Sequence, residues 1–457
     1  MDDKNKQALF ETMPIPQAAA KLIVPTVISS LVRILYNLAD TYFVGCLNDP
    51  IQNSAVTLAA PVILAFTAVT NLFGVGSSSM MSRALGTGDY DTVRRSSAFG
   101  IYCSILCAIL FSLVYTLNTD VFLRILGADV STSATTAQYM FWTLSCGAVP
   151  AIANVVLGFL VRAEGSALSA SIGTMSGCLL NIVLDPIFIM PWGFGMGVSG
   201  AGCATFISNC VSCCYFFIYI AIKRGKSYVC MKPAMARCGK AVALGVFAVG
   251  IPAAIQNLLN VTGMTILNNF TAGYGSNAVA AMGIAQKIQM VPIYMAMGFS
   301  SGIMPLVGYN YSSGNFGRMK EAVRFTVKLD IVFLIAIAAV YISASEQLVM
   351  LFIKNAEVVK YGSAFLCGIA LALPFAGMDF LGVGVFQACG MGKSSLLFAV
   401  LRKVVLEIPA LFILNKLVPL YGIAYAQLTA ELVLCAAAVI VLRKIFAGLE
   451  KEKPEKA

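Results

Sequence analysis

The chain has 457 residues, of which 59% are hydrophobic and 11% are charged, whereas an ordinary soluble domain carries roughly a quarter charged residues. This composition excludes a soluble enzyme and predicts an all-α integral membrane protein. The excess of 31 Lys and Arg over 21 Asp and Glu does not indicate nucleic-acid binding, because membrane topology alone makes such proteins basic.

The N-terminal residues 1–21 carry acidic residues and two prolines ahead of the first apolar run, unlike a cleaved signal peptide, so we expect the first span to be retained. Apolar runs of about twenty residues then recur, each long enough to cross roughly 30 Å of hydrocarbon. The predicted spans cover 19–45, 54–82, 96–117, 135–161, 167–190 and 200–222, followed by 240–271, 277–311, 322–344, 361–388, 394–415 and 420–443.

Basic residues are distributed unevenly between the two sides of these spans. If the N-terminus is cytoplasmic, the outer segments hold only Arg124, Lys354, Lys360 and Lys416. Most other Lys and Arg fall on the inner side, and we place Arg402 and Lys403 there. By the positive-inside rule, this bias predicts a multi-pass cell-membrane protein with both termini in the cytoplasm and an even number of spans.

Short segments recur in the same order in the two halves of the chain. Examples are Pro25 with Pro252, Gly88-Asp89-Tyr90 with Gly314-Asn315-Phe316, and Gly165 with Gly390. We therefore predict an N-lobe at 1–222, a basic cytoplasmic linker at 223–240, and a C-lobe at 241–457 that ends in a short charged tail. Two six-helix bundles related by a pseudo-two-fold axis along the membrane normal would form a cavity suited to alternating access.

Carboxylates inside the spans are costly, so each is a functional candidate. Asp40 and Asp185 both lie about eighteen to twenty residues from the inner end of their helices, which places them at a similar depth in the outer half. Asn181 shares a helix face with Asp185, and Thr205 lies at the same level on the next span. These oxygens suit a proton or Na⁺, and the alternative is a purely structural role in helix packing.

Other charges lie closer to the middle of the membrane. Asp379, Glu407 and Glu431 are the acidic residues of this group, and Arg33 and Lys287 are the basic ones. A secondary charged site and simple ion pairing within the bundle both remain open for them.

Cysteine usage does not indicate a resident metal. Cys210, Cys213 and Cys214 have metal-like spacing, but the chain has no histidine and no second cluster to complete four ligands. We expect no cofactor and no metal beyond a transported Na⁺. An intramembrane enzyme, the alternative of another class, is disfavoured because the chain has no histidine for a relay and no short motif of paired carboxylates.

The ordered set of motifs resembles the multidrug and toxic compound extrusion (MATE) family, and the resemblance covers nearly the whole chain. Its carrying features are Pro25, Asn37-Leu38-Ala39-Asp40-Thr41-Tyr42, Arg162-Ala163-Glu164-Gly165, Asn181 with Asp185, Gly200-Ala201-Gly202 with Thr205, and Ile251-Pro252. The resemblance implies a secondary-active antiporter that exports cationic or amphipathic compounds in exchange for H⁺ or Na⁺.

Individual positions match the DinF-like branch of that family more than the NorM-like branch. The matches are a cation site at Asp40, Asn181, Asp185 and Thr205, a hinge at Pro25, and a cavity aromatic at Tyr36. Where the NorM-like branch has a glutamate, this chain has Asn260, which disfavours a NorM-style cation site, although Asp379 matches that branch's aspartate.

The substrates are expected to be small organic cations or amphipathic drugs. Met290 and Tyr294 are candidate cavity residues, since methionine and aromatic side chains accommodate varied lipophilic ligands. A flippase for lipids or lipid-linked oligosaccharides, of similar architecture, is the alternative. We expect a monomer that contacts membrane lipid and no nucleic acid, and the choice between H⁺ and Na⁺ stays open.

Overall fold

The structure, a computed structural model, describes residues 3–451, and this range is helical without a β-strand. The charged tail predicted at the C-terminus extends beyond the described residues. The first half contains α1 (Asp3–Glu11), α2 (Ile15–Gly45), α3 (Pro50–Thr70), α4 (Gly76–Gly86), α5 (Tyr90–Leu117), α6 (Thr119–Ile125), α7 (Ser133–Met140), α8 (Ala148–Ala163), α9 (Ala167–Ile189), α10 (Val198–Ile222) and α11 (Pro233–Ala236). The second half contains α12 (Lys240–Ala272), α13 (Ser276–Ser312), α14 (Phe316–Ser343), α15 (Ser345–Met350), α16 (Ala356–Ala388), α17 (Gly392–Val400), α18 (Ile408–Leu417) and α19 (Ala426–Lys451).

The predicted all-α membrane architecture is confirmed. Among residues 3–451, ten helices are long and apolar enough to cross a membrane, and α7 with α8 forms a further candidate bent by 49°. The predicted span at 394–415 is also helical, because a π-helical segment at Leu401–Glu407 joins α17 to α18. It is less apolar than the others since Arg402, Lys403 and Glu407 lie at its centre. Each predicted span therefore falls on a helical segment.

Packing divides the chain into two compact units. The first unit contains the described residues up to Phe10 together with Ile28–Ala254, and the second contains Glu11–Val27 together with the described residues from Ile255 onward. Helices α2 and α12 each contribute their beginning to one unit and the remainder to the other. The predicted lobes are continuous stretches of sequence, whereas these units group the residues that pack together. The two divisions therefore differ at the starts of α2 and α12.

Close backbone approaches at glycine explain where the starts of α2 and α12 pack. In the second unit, a Cβ on Gly302 of α13 would lie 2.8 Å from the Cα of Ile23 in α2. In the first unit, a Cβ on Gly76 of α4 would lie 3.0 Å from the side chain of Val246 in α12. Small residues allow helices to approach closely in a membrane, and these glycines therefore determine which unit holds each helix start.

The predicted linker is bound to the first unit. Glu164, which is fully buried at the end of α8, accepts hydrogen bonds from the amide of Tyr228 at 2.7 Å and the hydroxyl of Ser227 at 3.0 Å. The ammonium of Lys6 in α1 lies 3.1 Å from Glu164 and donates to the Lys226 carbonyl at 2.9 Å. A buried carboxylate with this many donors holds α1 and the linker together.

Equivalent turns of the two halves have the same backbone geometry. Gly88 and Gly314 both have positive φ, at +71° and +76°, and each precedes a side chain that caps the next helix. Asp89 accepts from the amide of Thr92, and Asn315 accepts from the amide of Arg318. Only glycine adopts this backbone conformation without strain, so the turns recognised as repeats in sequence also repeat as structures.

Helix α16 is the central helix of the second unit. It is buried along most of its length from Gly362 to Ala388 and packs against α13, α14 and α19. The hydroxyl of Ser300 in α13 donates to the carbonyl of Phe380 at 2.8 Å, and Gly384 lies against the same serine. This packing fixes the position of Asp379, one residue before Phe380.

Candidate functional site

A stripe of small residues brings α9 close to α10 in the first unit. Gly173 and Gly177 lie one turn apart on α9, and a Cβ on Gly177 would lie 3.0 Å from the carbonyl oxygen of Ser208 in α10. The hydroxyl of Ser212 donates to the carbonyl of Gly173 at 2.8 Å, which fixes the contact. Residues four apart share a helix face, so this stripe also presents the next two positions, 181 and 185, to α10.

Those two positions carry the polar groups of the candidate site. The amide of Asn181 donates to the hydroxyl of Thr205 on α10 at 3.3 Å. Asp185 is fully buried one turn further along, within reach of the Asn181 amide. Among residues 3–451, neither of its carboxylate oxygens makes a well-aligned hydrogen bond, and the side-chain oxygen of Asn181 makes none. Buried oxygens without donors are strong candidates to bind a proton or a cation.

Helix α2 completes the cluster within this unit. Tyr36 hydrogen bonds with Thr205, and it lies within electrostatic range of both Asp40 and Asp185. The two carboxylates also lie within electrostatic range of each other. The structure therefore places Asp40, Asn181, Asp185 and Thr205 together, as the sequence predicts, and their role in cation binding stays a prediction.

A cavity of about 190 Å³ adjoins this cluster within the first unit. Its lining includes Tyr36, Asn181 and Thr205 of the predicted set, and it also includes Arg33. Asn154 and Asn209, which sequence reasoning missed, lie on the wall and are joined by a hydrogen bond of 2.9 Å. Their side-chain amides lie inside predicted apolar spans, and this is the sequence feature that could have indicated the two residues.

Tyr139 is a further residue that the analysis of the sequence did not assign to this site. It is buried at the end of α7 and lies within electrostatic range of Tyr36, Asp40 and Asp185. Gly202 of α10 lies against its backbone, since a Cβ there would meet the Tyr139 carbonyl oxygen at 3.0 Å. The Gly200-Ala201-Gly202 motif therefore helps to hold this aromatic ring beside the two carboxylates.

The donor set of the cluster consists of oxygen atoms. Two carboxylates, an amide oxygen, a threonine hydroxyl and a phenol are hard ligands, which suit Na⁺ or a proton rather than a thiophilic metal. Among residues 3–451, no group of three or more Cys, Asp or Glu side chains is arranged to hold a metal ion. The arrangement can take up one small cation, release it, and leave negative charge beside the cavity.

A second buried charged cluster lies in the second unit. Arg402 contacts Glu431 at 2.6 Å and Asp379 at 3.4 Å, and it lies over the ring of Phe380 at 4.6 Å. Among residues 3–451, Oδ1 of Asp379 and Oε2 of Glu431 have neither a hydrogen-bond partner nor an ion-pair partner. The π-helical segment at Leu401–Glu407 widens one turn, and such segments are frequent at functional sites.

Arg402 and Lys403, which the sequence groups with the cytoplasmic segments, lie inside a helical segment and not in a loop. Arg402 is buried, and Lys403 pairs with Glu407 at 2.7 Å within the same π-helical segment. A count of basic residues near span ends does not show whether a side chain points into the bundle. Two carboxylates of the predicted secondary site therefore have basic partners on the predicted span at 394–415. Asp379 contacts Arg402, and Glu407 pairs with Lys403.

The remaining predicted residues do not join either cluster. Lys287 is exposed on α13, in the second unit, whereas Arg33 lines the cavity of the first. Met290 and Tyr294 are half-buried on α13 in the second unit and are not among the residues that line the first unit's cavity, so their role in substrate binding stays a prediction. Pro25 lies inside α2, two residues before the chain passes from the second unit to the first at Val27.

Gly177→Val is expected to separate α9 from α10 and break the contact between Asn181 and Thr205. Overpacking of this kind costs about 1–3 kcal/mol of stability, and transport should fall about tenfold because the cation oxygens move apart. Thermal unfolding and export rate measure the two effects. The matched control is Gly283→Val on α13, where an added Cβ has no neighbour within 4 Å. Normal transport by Gly177→Val would contradict the positioning role of this glycine.

Comparison with known proteins agrees with this architecture. The family model MatE matches the chain twice, at residues 25–187 and 252–413. The chain is 33% identical to the multidrug export protein MepA of Staphylococcus aureus strain MRSA252 over 95% of this chain and 94% of MepA, and 31% identical to MepA of Staphylococcus saprophyticus over 98% and 97%. A multidrug resistance MATE family transporter of the MOP superfamily, solved in an outward-facing conformation, has 25% identity and a TM-score of 0.92 over 99% of this chain and 100% of that chain. The chain belongs to the MatE family.

Proposed function

We propose that this protein is a multidrug exporter, a secondary transporter that moves small cationic or amphipathic compounds out of the cell in exchange for H⁺ or Na⁺. The name of its relatives, multidrug export protein MepA, supports the export of drugs. The observation that supports the coupling proposal is the carboxylate of Asp185, which is fully buried beside Asn181 and, within residues 3–451, has no cationic partner.

Exchange follows from competition for negative charge in the first unit. When H⁺ or Na⁺ occupies the oxygen cluster, Asp40 and Asp185 are compensated and the cavity no longer attracts an organic cation. When the small cation leaves, the carboxylates become attractive to the drug, so each ligand displaces the other. Alternating access then converts this competition into antiport, with Pro25 as the proposed point of bending in α2 because proline removes a helical hydrogen bond.

Transport into everted vesicles with imposed gradients tests which ion drives the exchange. A fluorescent organic cation should accumulate when the lumen holds a higher concentration of H⁺ or of Na⁺, with the other ion equal on both sides. One gradient should raise the initial rate at least tenfold over vesicles without a gradient. An accumulation rate that neither gradient changes would contradict antiport.

The flippase alternative rests on one observation, the presence of Arg33 in the lining of the first unit's cavity. A basic residue at that place suits the phosphate of a lipid-linked substrate. Arg33→Gln separates the two functions. Unchanged export of the organic cation supports the multidrug proposal, whereas movement of a fluorescent phospholipid that depends on Arg33, without drug export, supports the flippase.

We also propose a monomer with both termini in the cytoplasm. The uneven distribution of Lys and Arg supports the orientation. Cys46, which is exposed just after α2, should react with a membrane-impermeant thiol reagent added outside intact cells.

A further inference from the structure

A cleft of about 310 Å³ lies in the second unit between the beginning of α2 and the first half of α14. Ile15 and Pro16 form one side, and Phe325 contributes an aromatic ring to the other. The cleft opens to the surface and is separate from the buried cluster around Arg402. Its mixture of apolar and basic lining is unlike the oxygen-rich cavity of the first unit.

The basic lining comes from one face of α14. Lys320, Arg324 and Lys328 follow one another at intervals of four residues, so they form a single stripe along the helix. Glu321 also lines the cleft, but its charge interacts with the neighbouring Arg318. The cleft therefore carries a net positive charge.

Two of these cations have no compensating group within residues 3–451. The side chains of Arg324 and Lys328 make no hydrogen bond or ion pair with this part of the chain, and both are exposed. Uncompensated cations this close together repel one another unless an anion lies between them. The charge pattern thus favours an anionic ligand.

The depth of the stripe matches a lipid headgroup. Helix α14 ends at Ser343, and a span of about twenty residues counted back from that end reaches Arg324. Lys320 then lies at headgroup level, and Lys328 lies about 6 Å into the hydrocarbon, from where a lysine reaches back to the interface. Leu329, Val332 and Ile335, exposed at 44%, 67% and 52%, continue the helix surface below the basic stripe.

We propose that this cleft binds the headgroup of an anionic phospholipid in the membrane leaflet that surrounds the N-terminal end of α14. The phosphate contacts Arg324 and Lys328, and one acyl chain lies along Val332 and Ile335. A soluble phosphate would use the same cations but would gain nothing from the apolar surface below them. Basic pockets beside membrane helices are a recognised way of holding anionic lipids. The proposal rests on the membrane-spanning architecture and is independent of drug export and its coupling ion.

Native mass spectrometry of the full-length protein in detergent tests this site. Phosphatidylglycerol should bind at least tenfold more tightly than phosphatidylcholine with the same acyl chains. Arg324→Gln and Lys328→Gln should each weaken phosphatidylglycerol binding about fivefold, the usual contribution of one basic residue at a membrane surface. The double variant should lose the preference for phosphatidylglycerol.

The matched control is Lys354→Gln/Lys360→Gln, which removes two exposed charges from the second unit near the other end of α14. It should bind phosphatidylglycerol as the wild type does. Equal binding by the wild type and the Arg324→Gln/Lys328→Gln variant would overturn the proposal. Displacement of the lipid by inorganic phosphate at low millimolar concentration would also overturn it, in favour of a soluble anion. If the double variant does not fold, the two single variants provide the same test.

Discussion

Asp185→Asn is expected to reduce gradient-driven export of an organic cation at least tenfold while the protein still folds and reaches the membrane. Asparagine keeps the size of the side chain but cannot bind a proton or carry negative charge. The buried position beside Asn181 would then lose the group that exchanges the coupling ion. Initial rates of dye accumulation in everted vesicles, normalised to the amount of protein, measure the effect.

Asp330→Asn is the matched control for this prediction. Asp330 is also buried, and no residue of the described range 3–451 hydrogen bonds with its carboxylate, but it belongs to α14 in the second unit. It should retain most of the export rate. If Asp185→Asn exports normally, or if both variants fail equally, the assignment of coupling to the first unit is wrong.

Arg402→Met is expected to destabilise the protein by about 3–5 kcal/mol. The guanidinium contacts Asp379 and Glu431, and its removal leaves two buried carboxylates without a cation in contact, since Lys403 pairs with Glu407. Breaking a buried ion pair is far more costly than its net contribution to stability, because the remaining charge cannot be solvated. The midpoint of thermal unfolding in detergent, followed by intrinsic fluorescence, measures the change.

Neutralising the whole cluster should restore most of the loss. The triple variant Arg402→Met/Asp379→Asn/Glu431→Gln contains no unpaired buried charge, so its unfolding midpoint should return close to that of the wild type. Arg124→Met, on the exposed surface of α6, should leave the midpoint unchanged. A triple variant as unstable as Arg402→Met would contradict the electrostatic explanation and indicate a packing role for the arginine.

Local patterns in the sequence predicted much of the fold. Span positions follow from apolar runs, and the repeated turns at Gly88 and Gly314 follow from glycine before a capping residue. The shared face of Asn181 and Asp185 follows from their spacing of four. These features depend on neighbours in the chain, which is why sequence reasoning reached them.

Features that depend on distant contacts could not be read in the same way. The exchange of the starts of α2 and α12 between units depends on close approaches at Gly76 and Gly302, which involve residues far apart in the chain. The burial of Arg402 depends on its contacts with Asp379 and Glu431, which lie on other helices. Tyr139 reaches the carboxylates only through the packing of α7 against α10.

If the drug and the coupling ion compete for the same carboxylates, binding of the drug releases H⁺ or Na⁺ from the protein. Calorimetric titration of the purified protein with an organic cation, in buffers of different ionisation enthalpy and with Na⁺ varied, counts the ions released. We predict about one H⁺ or one Na⁺ displaced per drug bound, and none in the Asp40→Asn/Asp185→Asn variant. Drug binding that displaces neither ion from the wild type would contradict the account.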